Sequence, residues 1–202
     1  MLPLYDEKRK KGIPFATIAL VVFNIYFFYI SLSNPDYYLN NYAFSFNDLF
    51  NGRIFTVFTS MFLHGSIIHL LGNMLFLFVF GRNIEAKTGS FRFLIFYFLC
   101  GIFSILAYSL VEDRASLLIG ASGAISGVLG AYLVLFPRNK IRAIVPIIVF
   151  LTVASVPAFV FILIWFLIQL LSLGTADMVA YSSHIGGFIA GMLLIKSFVK
   201  RR

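Results

Sequence analysis

Residues 120–136 read GASGAISGVLGAYLVLF, a serine flanked by glycines at the head of a strongly apolar run. Gly123, Gly127 and Gly130 follow one another at helical spacing, so they would form a bare stripe along one face of a helix. Such stripes let two helices approach each other closely inside a membrane. Ser122 stands where the chain would enter this helix. The stretch therefore predicts a tightly packed helix with a polar group at its start.

The whole chain shares this apolar character. Of its 202 residues, 60% are hydrophobic and only 12% are charged, whereas an ordinary soluble domain has about 45–50% and about 25%. A water-soluble fold of this size would lack the polar residues needed to cover its surface. The composition therefore excludes a soluble enzyme, a secreted disulfide scaffold, a disordered tail and a coiled coil. The single cysteine, Cys100, is expected to be a packing residue.

Apolar runs that could cross a membrane occur six times. A bilayer core about 30 Å thick is crossed by a helix of about 20 mostly apolar residues. The six runs predict an all-α membrane protein with a single domain at 1–202, made of a basic cytoplasmic tail at 1–13 and a six-helix transmembrane bundle at 14–200. The second and fourth runs are short, which suggests a cavity that reaches into the membrane from one side. The six runs cover residues 15–32, 67–80, 91–110, 121–136, 143–171 and 183–199.

Basic residues distinguish the two sides of this predicted bundle. Four precede the first run, three lie between the second and third, three lie between the fourth and fifth, and four end the chain, which together make 14 of the 16. Because Lys and Arg concentrate in cytoplasmic loops, both termini are expected inside. The long aromatic loop at 33–64 would then lie outside, in the interfacial zone. This asymmetry explains the net charge of +8 without nucleic acid.

Polar residues inside apolar runs are costly, so each marks a candidate site. The chain has three histidines, His64, His69 and His184. His69 and Asn73 are four residues apart and would project from one helix face, where they could form a site or simply hydrogen-bond to a neighbouring helix. Ser122 could likewise cap its own helix, or the free N–H groups there could stabilise an anion.

The sixth run begins with SSHIGGFIAG at residues 182–191. His184, Gly187 and Gly191 share one stripe of the predicted helix, similar to the glycine stripe that follows Ser122. Two such stripes would let the backbones come close together. The hydroxyl of Ser122 could then reach a nitrogen of His184 at about 2.6–3.2 Å, as a nucleophile reaches its general base.

Three segments together resemble the rhomboid family of intramembrane serine proteases. They are HGSIIHLLGN at 64–73, GASG at 120–123 and HIGGFIAG at 184–191. Their order and the His-x4-His-x3-Asn spacing match that family. The resemblance implies a rhomboid-like bundle and a serine endopeptidase that cleaves transmembrane or membrane-adjacent segments of membrane proteins. It implies neither a cofactor nor a metal ion.

The resemblance also implies roles for individual residues. Ser122 would be the nucleophile and His184 its general base, a dyad without a carboxylate. The oxyanion hole would consist of His69, Asn73 and the backbone N–H of Ser122. The remaining matched positions would support the site or allow helix packing. These are His64, Gly120 and Gly123 for site support, and Gly127, Gly187 and Gly191 for packing.

One position departs from the family pattern. Many members carry an aromatic residue four positions after the nucleophile, where it packs on the catalytic histidine, whereas this chain has Ser126. Another group would then hold the ring of His184, either a phenylalanine or a hydrogen bond. Trp165 and Gln169 match a pattern that is common in the family near the substrate gate.

Other interpretations of the same residues stay open. A small polytopic transporter could use the histidines as a proton path. A catalytically silent rhomboid-like protein could bind client helices, and three histidines could in principle bind Zn²⁺. The preferred interpretation expects transmembrane protein substrates and membrane lipids as partners, no nucleic acid, and a location in the plasma membrane of a prokaryote. The sequence indicates no particular oligomeric state.

The predicted topology can be tested by cysteine labelling in a Cys100→Ser background. A cysteine at Asn40 should react with an impermeant maleimide added outside intact cells, because the 33–64 loop is expected outside. A cysteine at Arg202 should react only after permeabilisation, because the basic C-terminus is expected inside. Labelling of Arg202→Cys in intact cells would contradict this orientation.

Overall fold

The computed structural model describes residues 1–8, 12–147, 150–175 and 179–200. In chain order, its helices are α1 Phe15–Ser31, α2 Pro35–Tyr42, α3 Thr56–Thr59, α4 Ile67–Phe76, α5 Arg82–Thr88, α6 Ser90–Val111, α7 Ser122–Leu135, α8 Ala158–Leu171 and α9 Tyr181–Phe198. Short 3-10 turns at Phe46–Leu49 and Ser60–Phe62 and a π-helical turn at Leu77–Gly81 lie between them. The strands of the described residues are β1 Leu2–Asp6, β2 Lys140–Ile147 and β3 Phe150–Pro157.

Four of the predicted apolar runs fold into helices with nearly the predicted bounds, namely α1, α6, α7 and α9. By length and composition, the described residues contain two helical stretches able to cross a bilayer, Ile67–Thr88 and Ser90–Val111. Three shorter apolar helices, α1, α7 and α8, accompany them. The aromatic loop at 33–64 is itself folded, since it contains α2, α3 and both 3-10 turns.

The second helix is longer than the apolar run that predicts it. It continues from α4 through the π turn into α5 and ends at Thr88, a length of 22 residues. The prediction of a short second span at 67–80 is therefore wrong, whereas α7 is short, at 14 residues. Hydropathy falls at Arg82 and Asn83, but the helix does not end there, because both polar side chains have partners within the fold.

Glu85 is a buried carboxylate in α5 that holds the start of α1. It accepts hydrogen bonds from the backbone N–H groups of Ala16 and Thr17, both at 2.8 Å, and from the hydroxyl of Ser90 at 2.6 Å. The first N–H groups of a helix lack partners within the helix and carry partial positive charge, so a carboxylate stabilises them. Glu85 therefore connects α1, α5 and α6 at one end of the bundle.

The run 143–171 is not a single helix, and the expectation of an all-α protein is wrong. Strands β2 and β3 form an antiparallel hairpin, and α8 begins only at Ala158. The hairpin is rich in β-branched side chains, which favour strands. It also contains Pro146 and Pro157, which lack the N–H that a helix interior requires. Hydropathy alone does not distinguish an apolar strand from an apolar helix.

The first residues of the chain, expected as a plain basic tail, contain β1, which pairs antiparallel with β2. At the end of β1, the carboxylate of Asp6 is buried and accepts hydrogen bonds from Asn83 of α5, from the hydroxyl of Tyr132 of α7 and from Asn139. These donors offset the cost of burying a charge. The start of the chain is therefore attached to the same end of the bundle as α5.

The end of α9 lies at the same end of the bundle as β1. The backbone N–H of Lys200, just after α9, donates to the carbonyl oxygen of Lys87 in α5 at 3.1 Å. Arg53 and Arg114 instead belong to loops at the opposite end, where the Arg114 guanidinium lies 5.1 Å from the ring centre of Phe46. The basic loops and the two outlying arginines are thus separated by the length of the helices.

Helices α7 and α9 pack with their backbones in contact. A Cβ atom on Gly187 would overlap the carbonyl oxygen of Gly123, and one on Gly191 would overlap the carbonyl oxygen of Gly127. No other residue type fits these places, since each would add at least a Cβ. The two glycine stripes therefore face each other.

Replacing Gly191 by alanine should destabilise the protein. Overpacking a filled interior typically costs about 1–3 kcal/mol, and here the obstacle is backbone that has no rotamer to change. Gly72→Ala is the matched control, because Gly72 also lies in a helix but has nothing within 4 Å of a new Cβ. That control should be neutral or stabilising by up to about 1 kcal/mol. Equal thermal unfolding curves in detergent for Gly191→Ala and wild type would contradict the backbone contact.

Candidate active site

Ser122 and His184 form a hydrogen bond between α7 and α9. Ser122 is the first residue of α7 and His184 lies in the first turn of α9. The Ser122 Oγ and the His184 Nε2 are 2.8 Å apart, and both side chains are half-buried. The facing glycine stripes begin one residue beyond Ser122 and three beyond His184, so helix packing sets this distance. The pair has the geometry of a nucleophile next to a general base.

Gly120 shapes the turn that leads into Ser122. Its φ of +116° lies in the region that favours glycine. A Cβ atom there would also lie 2.9 Å from Cε1 of His69 and 3.6 Å from Oγ of Ser122. The absence of a side chain therefore lets the imidazole of His69 sit beside the serine hydroxyl.

His64, His69 and Asn73 lie together at the start of α4. Ser66 caps this helix by accepting a hydrogen bond from the backbone N–H of His69 at 3.1 Å. The side-chain amide of Asn73 donates to Nε2 of His64 at 2.9 Å, and the rings of His64 and His69 are 5.0 Å apart. Burial and, to a lesser extent, the neighbouring His69 lower the pKa of His64 to about 4. His64 is therefore neutral at physiological pH and its Nε2 can accept from Asn73.

Three helices begin around the serine. His69, Ser122 and His184 each lie in the first turn of their helix, in α4, α7 and α9. The first N–H groups of a helix have no partners within it and carry about half a positive charge together. A negative charge that develops near Ser122 Oγ would therefore be favoured by the protein backbone.

Gln169 of α8 contacts the other nitrogen of the His184 ring. Its Oε1 lies 2.7 Å from Nδ1, and the ring also has Trp165 and Tyr181 as aromatic neighbours at 6.1 and 6.3 Å between centres. Ser126 instead turns its hydroxyl back to the carbonyl oxygen of Ser122 at 2.6 Å. From the sequence, Gln169 is expected only near the substrate gate. The sequence feature that could have marked Gln169 as a site residue is that it is the one glutamine in the chain and lies within an apolar run.

The loop between α1 and α4 supports the approach to Ser122. Phe44 and Leu118 exchange backbone hydrogen bonds at 3.0 and 2.7 Å, and the backbone N–H of Gly120 donates to the carbonyl oxygen of Ser60 at 2.9 Å. Arg53 holds the loop itself, since its guanidinium donates to two backbone carbonyls and pairs with Asp48 at 3.3 Å. The segment before the serine is therefore held in place by backbone hydrogen bonds to this loop.

Metal binding was an open possibility for the three histidines. Among the residues that the structure describes, no three side chains of the His, Cys, Asp or Glu type converge as a metal site would require. His184 instead directs its two ring nitrogens to Ser122 and Gln169.

Comparison with known proteins identifies the family. The model of the Rhomboid domain matches residues 51–201. RHOMBOID-like protein 1 of Arabidopsis thaliana is 33% identical over 142 residues, which are 70% of this chain and 34% of that protein. RHOMBOID-like protein 7 of the same plant is 35% identical over 149 residues, 70% of this chain and 42% of that protein. Rhomboid-like protease 3 of Toxoplasma gondii is 31% identical over 147 residues, 72% of this chain and 52% of that protein.

The chain therefore belongs to the rhomboid family. Members of this family are helical, polytopic integral membrane proteins, and the family includes intramembrane serine proteases. The chain spans only about a third to a half of the length of these relatives.

Proposed function

We propose that this protein is an intramembrane serine endopeptidase that works through a dyad of Ser122 and His184. The observation that carries the proposal is the 2.8 Å contact between the serine Oγ and the histidine Nε2. Membership of a family that includes serine proteases supports the same reaction. The substrates would be transmembrane or membrane-adjacent segments of other membrane proteins.

In the proposed reaction, Ser122 Oγ attacks a peptide carbonyl carbon while His184 Nε2 takes the hydroxyl proton. The tetrahedral intermediate collapses when the C–N bond breaks, and the imidazolium gives its proton to the leaving amine. Water then attacks the resulting ester with His184 again as base, which releases the acid and restores the serine. No group outside the dyad has to change its protonation state.

The oxyanion of the intermediate would be bound by His69, Asn73 and the backbone N–H of Ser122. The imidazole of His69 lies beside the serine across Gly120, as described above. An amide nitrogen carries two N–H groups, so Asn73 can hold His64 with one and offer the other to the oxyanion. The first N–H groups of α7 would add to this stabilisation.

The proposal includes six spans with both termini in the cytoplasm. It is supported by the position of β1 and the end of α9 at the end of the bundle remote from Ser122, beside the basic loops. The candidate site then lies near the outer side. The plasma membrane of a prokaryote is the proposed location, supported by the charge asymmetry of the chain.

Substrates would reach the site from the lipid. A groove of about 500 Å³ lies beside His64, between the end of α1, helix α2 and the start of α4. Apolar side chains, among them Phe28, Leu63 and Ile119, line most of it. A groove of this character suits an apolar segment better than a polar solute, which favours a membrane-protein substrate over transport of an ion.

The dyad can be tested with purified protein in detergent. Wild type should react with a fluorophosphonate probe and cleave a transmembrane model substrate, because Ser122 is activated by His184. Ser122→Ala should lose both activities, and His184→Ala should lose cleavage by several orders of magnitude. If wild type binds the substrate without labelling or cleavage, the protein is a client-binding member of the family and the proposal is wrong.

The oxyanion assignment predicts that Asn73→Ala loses turnover more than stability. Removal of one oxyanion donor should lower kcat by about 10²–10³-fold, whereas a hydrogen bond that only joins helices contributes about 0.6–2 kcal/mol to folding. Asn24→Ala is the matched control, because Asn24 is also buried but its amide donates to the carbonyl oxygen of Leu20 within α1. It should lose stability alone. Normal kcat in a destabilised Asn73→Ala protein would leave Asn73 as a packing residue.

A further inference from the structure

We propose that Gln169 is a positioning residue that selects the tautomer and the orientation of the His184 ring. This inference rests on the proposed dyad. Gln169 lies near the end of α8, and its side chain is buried, with 6% exposed. Its Oε1 is 2.7 Å from His184 Nδ1, on the side of the ring opposite to the nitrogen that contacts Ser122.

A second hydrogen bond decides which way the amide of Gln169 faces. The side-chain nitrogen Nε2 donates to the backbone carbonyl oxygen of Trp165 at 3.1 Å. A carbonyl oxygen can only accept, so the NH₂ group must point toward Trp165. The flipped amide would set two acceptors against each other. The oxygen of the amide is therefore the atom that meets His184.

This orientation determines where the proton of the neutral imidazole lies. The amide oxygen cannot donate, so Nδ1 of His184 must carry the hydrogen of the bond to Gln169. In a neutral ring the other nitrogen, Nε2, is then bare and accepts the hydroxyl proton of Ser122. This is the tautomer that a general base requires. The other tautomer would place a hydrogen between Nε2 and the serine oxygen and prevent proton transfer.

The amide of Gln169 provides a hydrogen-bond acceptor for Nδ1 of His184, which its neighbours Ser126, Trp165 and Tyr181 do not. The hydroxyl of Ser126 donates to the backbone carbonyl oxygen of Ser122, and Trp165 and Tyr181 limit the ring sideways without specifying the position of its proton. A carboxylate in the place of Gln169 would have to be buried as a charge within the bundle, which is costly. A neutral amide accepts the same Nδ1 hydrogen bond without that cost.

The experiment compares Gln169→Met and Gln169→Glu with Ile162→Val, each as the full chain in proteoliposomes with a cleavable transmembrane substrate. Methionine has a similar length without the acceptor, so kcat should fall roughly 10- to 100-fold with KM little changed. A protonated glutamate can offer its carbonyl oxygen to Nδ1 and its O–H to Trp165, so Gln169→Glu should recover most of kcat. Ile162 is fully buried in the same helix. Because valine is one carbon shorter, Ile162→Val should lower only the melting temperature.

A spectroscopic measurement tests the tautomer without any change at Gln169. The chain has three histidines, so ¹⁵N-histidine labelling gives few signals, and His184→Ala identifies the one that matters. In the neutral wild-type protein we expect a hydrogen on Nδ1 of His184 and none on Nε2. A hydrogen on Nε2 would overturn the proposal even if Gln169→Met fails to fold.

The outcomes separate this proposal from the proposed function. Wild-type kcat in Gln169→Met, or a loss that only follows melting temperature as in Ile162→Val, would overturn the positioning role while the dyad stands. Cleavage by Ser122→Ala, or none by wild type, would overturn the dyad itself and with it the role of Gln169. Selective loss of kcat with recovery by glutamate supports the positioning role.

Discussion

The carbonyl oxygen of Gly123 on α7 lies where the Cβ of any other residue at position 187 on α9 would be. Backbone therefore packs directly on backbone along these two helices, with Gly191 and Gly127 repeating the contact one turn further. Because α7 begins at Ser122 and α9 carries His184 in its first turn, this contact also sets how far apart the two side chains are. The remaining helices pack around this pair and position the groups that act on it.

Several buried polar groups of the bundle have specific partners that make their burial tolerable. Several donors surround the side-chain oxygens of Asp6 and of Glu85, and both residues hold ends of secondary structure together. His184 is accompanied by a neutral amide instead. Asp6 and Glu85 lie at the end of the bundle that holds β1 and the end of α9, whereas Asp48 pairs with Arg53 in a loop at the opposite end. The ring nitrogens of His184 contact the amide of Gln169 and the hydroxyl of Ser122, neither of which carries a formal charge.

The two ends of the bundle therefore differ in chemistry. At one end the sheet, the chain termini and the basic loops meet. At the other end lie the starts of α4, α7 and α9, with Ser122 as the first residue of α7, and an apolar groove lies next to them. This polarity follows from the direction in which each helix runs, since a helix presents donors only at its N-terminus. The start of α1 lies at the first end instead, where the carboxylate of Glu85 accepts its first N–H groups.

The sequence by itself determined the apolar helices α1, α6, α7 and α9, the family, and the glycine stripes that indicated a meeting of residues 122 and 184. The helices and glycine stripes follow from the composition and spacing of residues that are close in the chain, and the family follows from three short segments and their order. Only the tertiary structure decided that residues 140–147 and 150–157 form strands, that the second helix continues to Thr88, and that Gln169 faces His184. Each of these depends on a partner distant in sequence. Strand β2 pairs with β1, α5 binds Asp6 and the start of α1, and Gln169 contacts His184 on another helix. Hydropathy and periodicity describe only residues that are close in the chain, so they cannot predict these contacts.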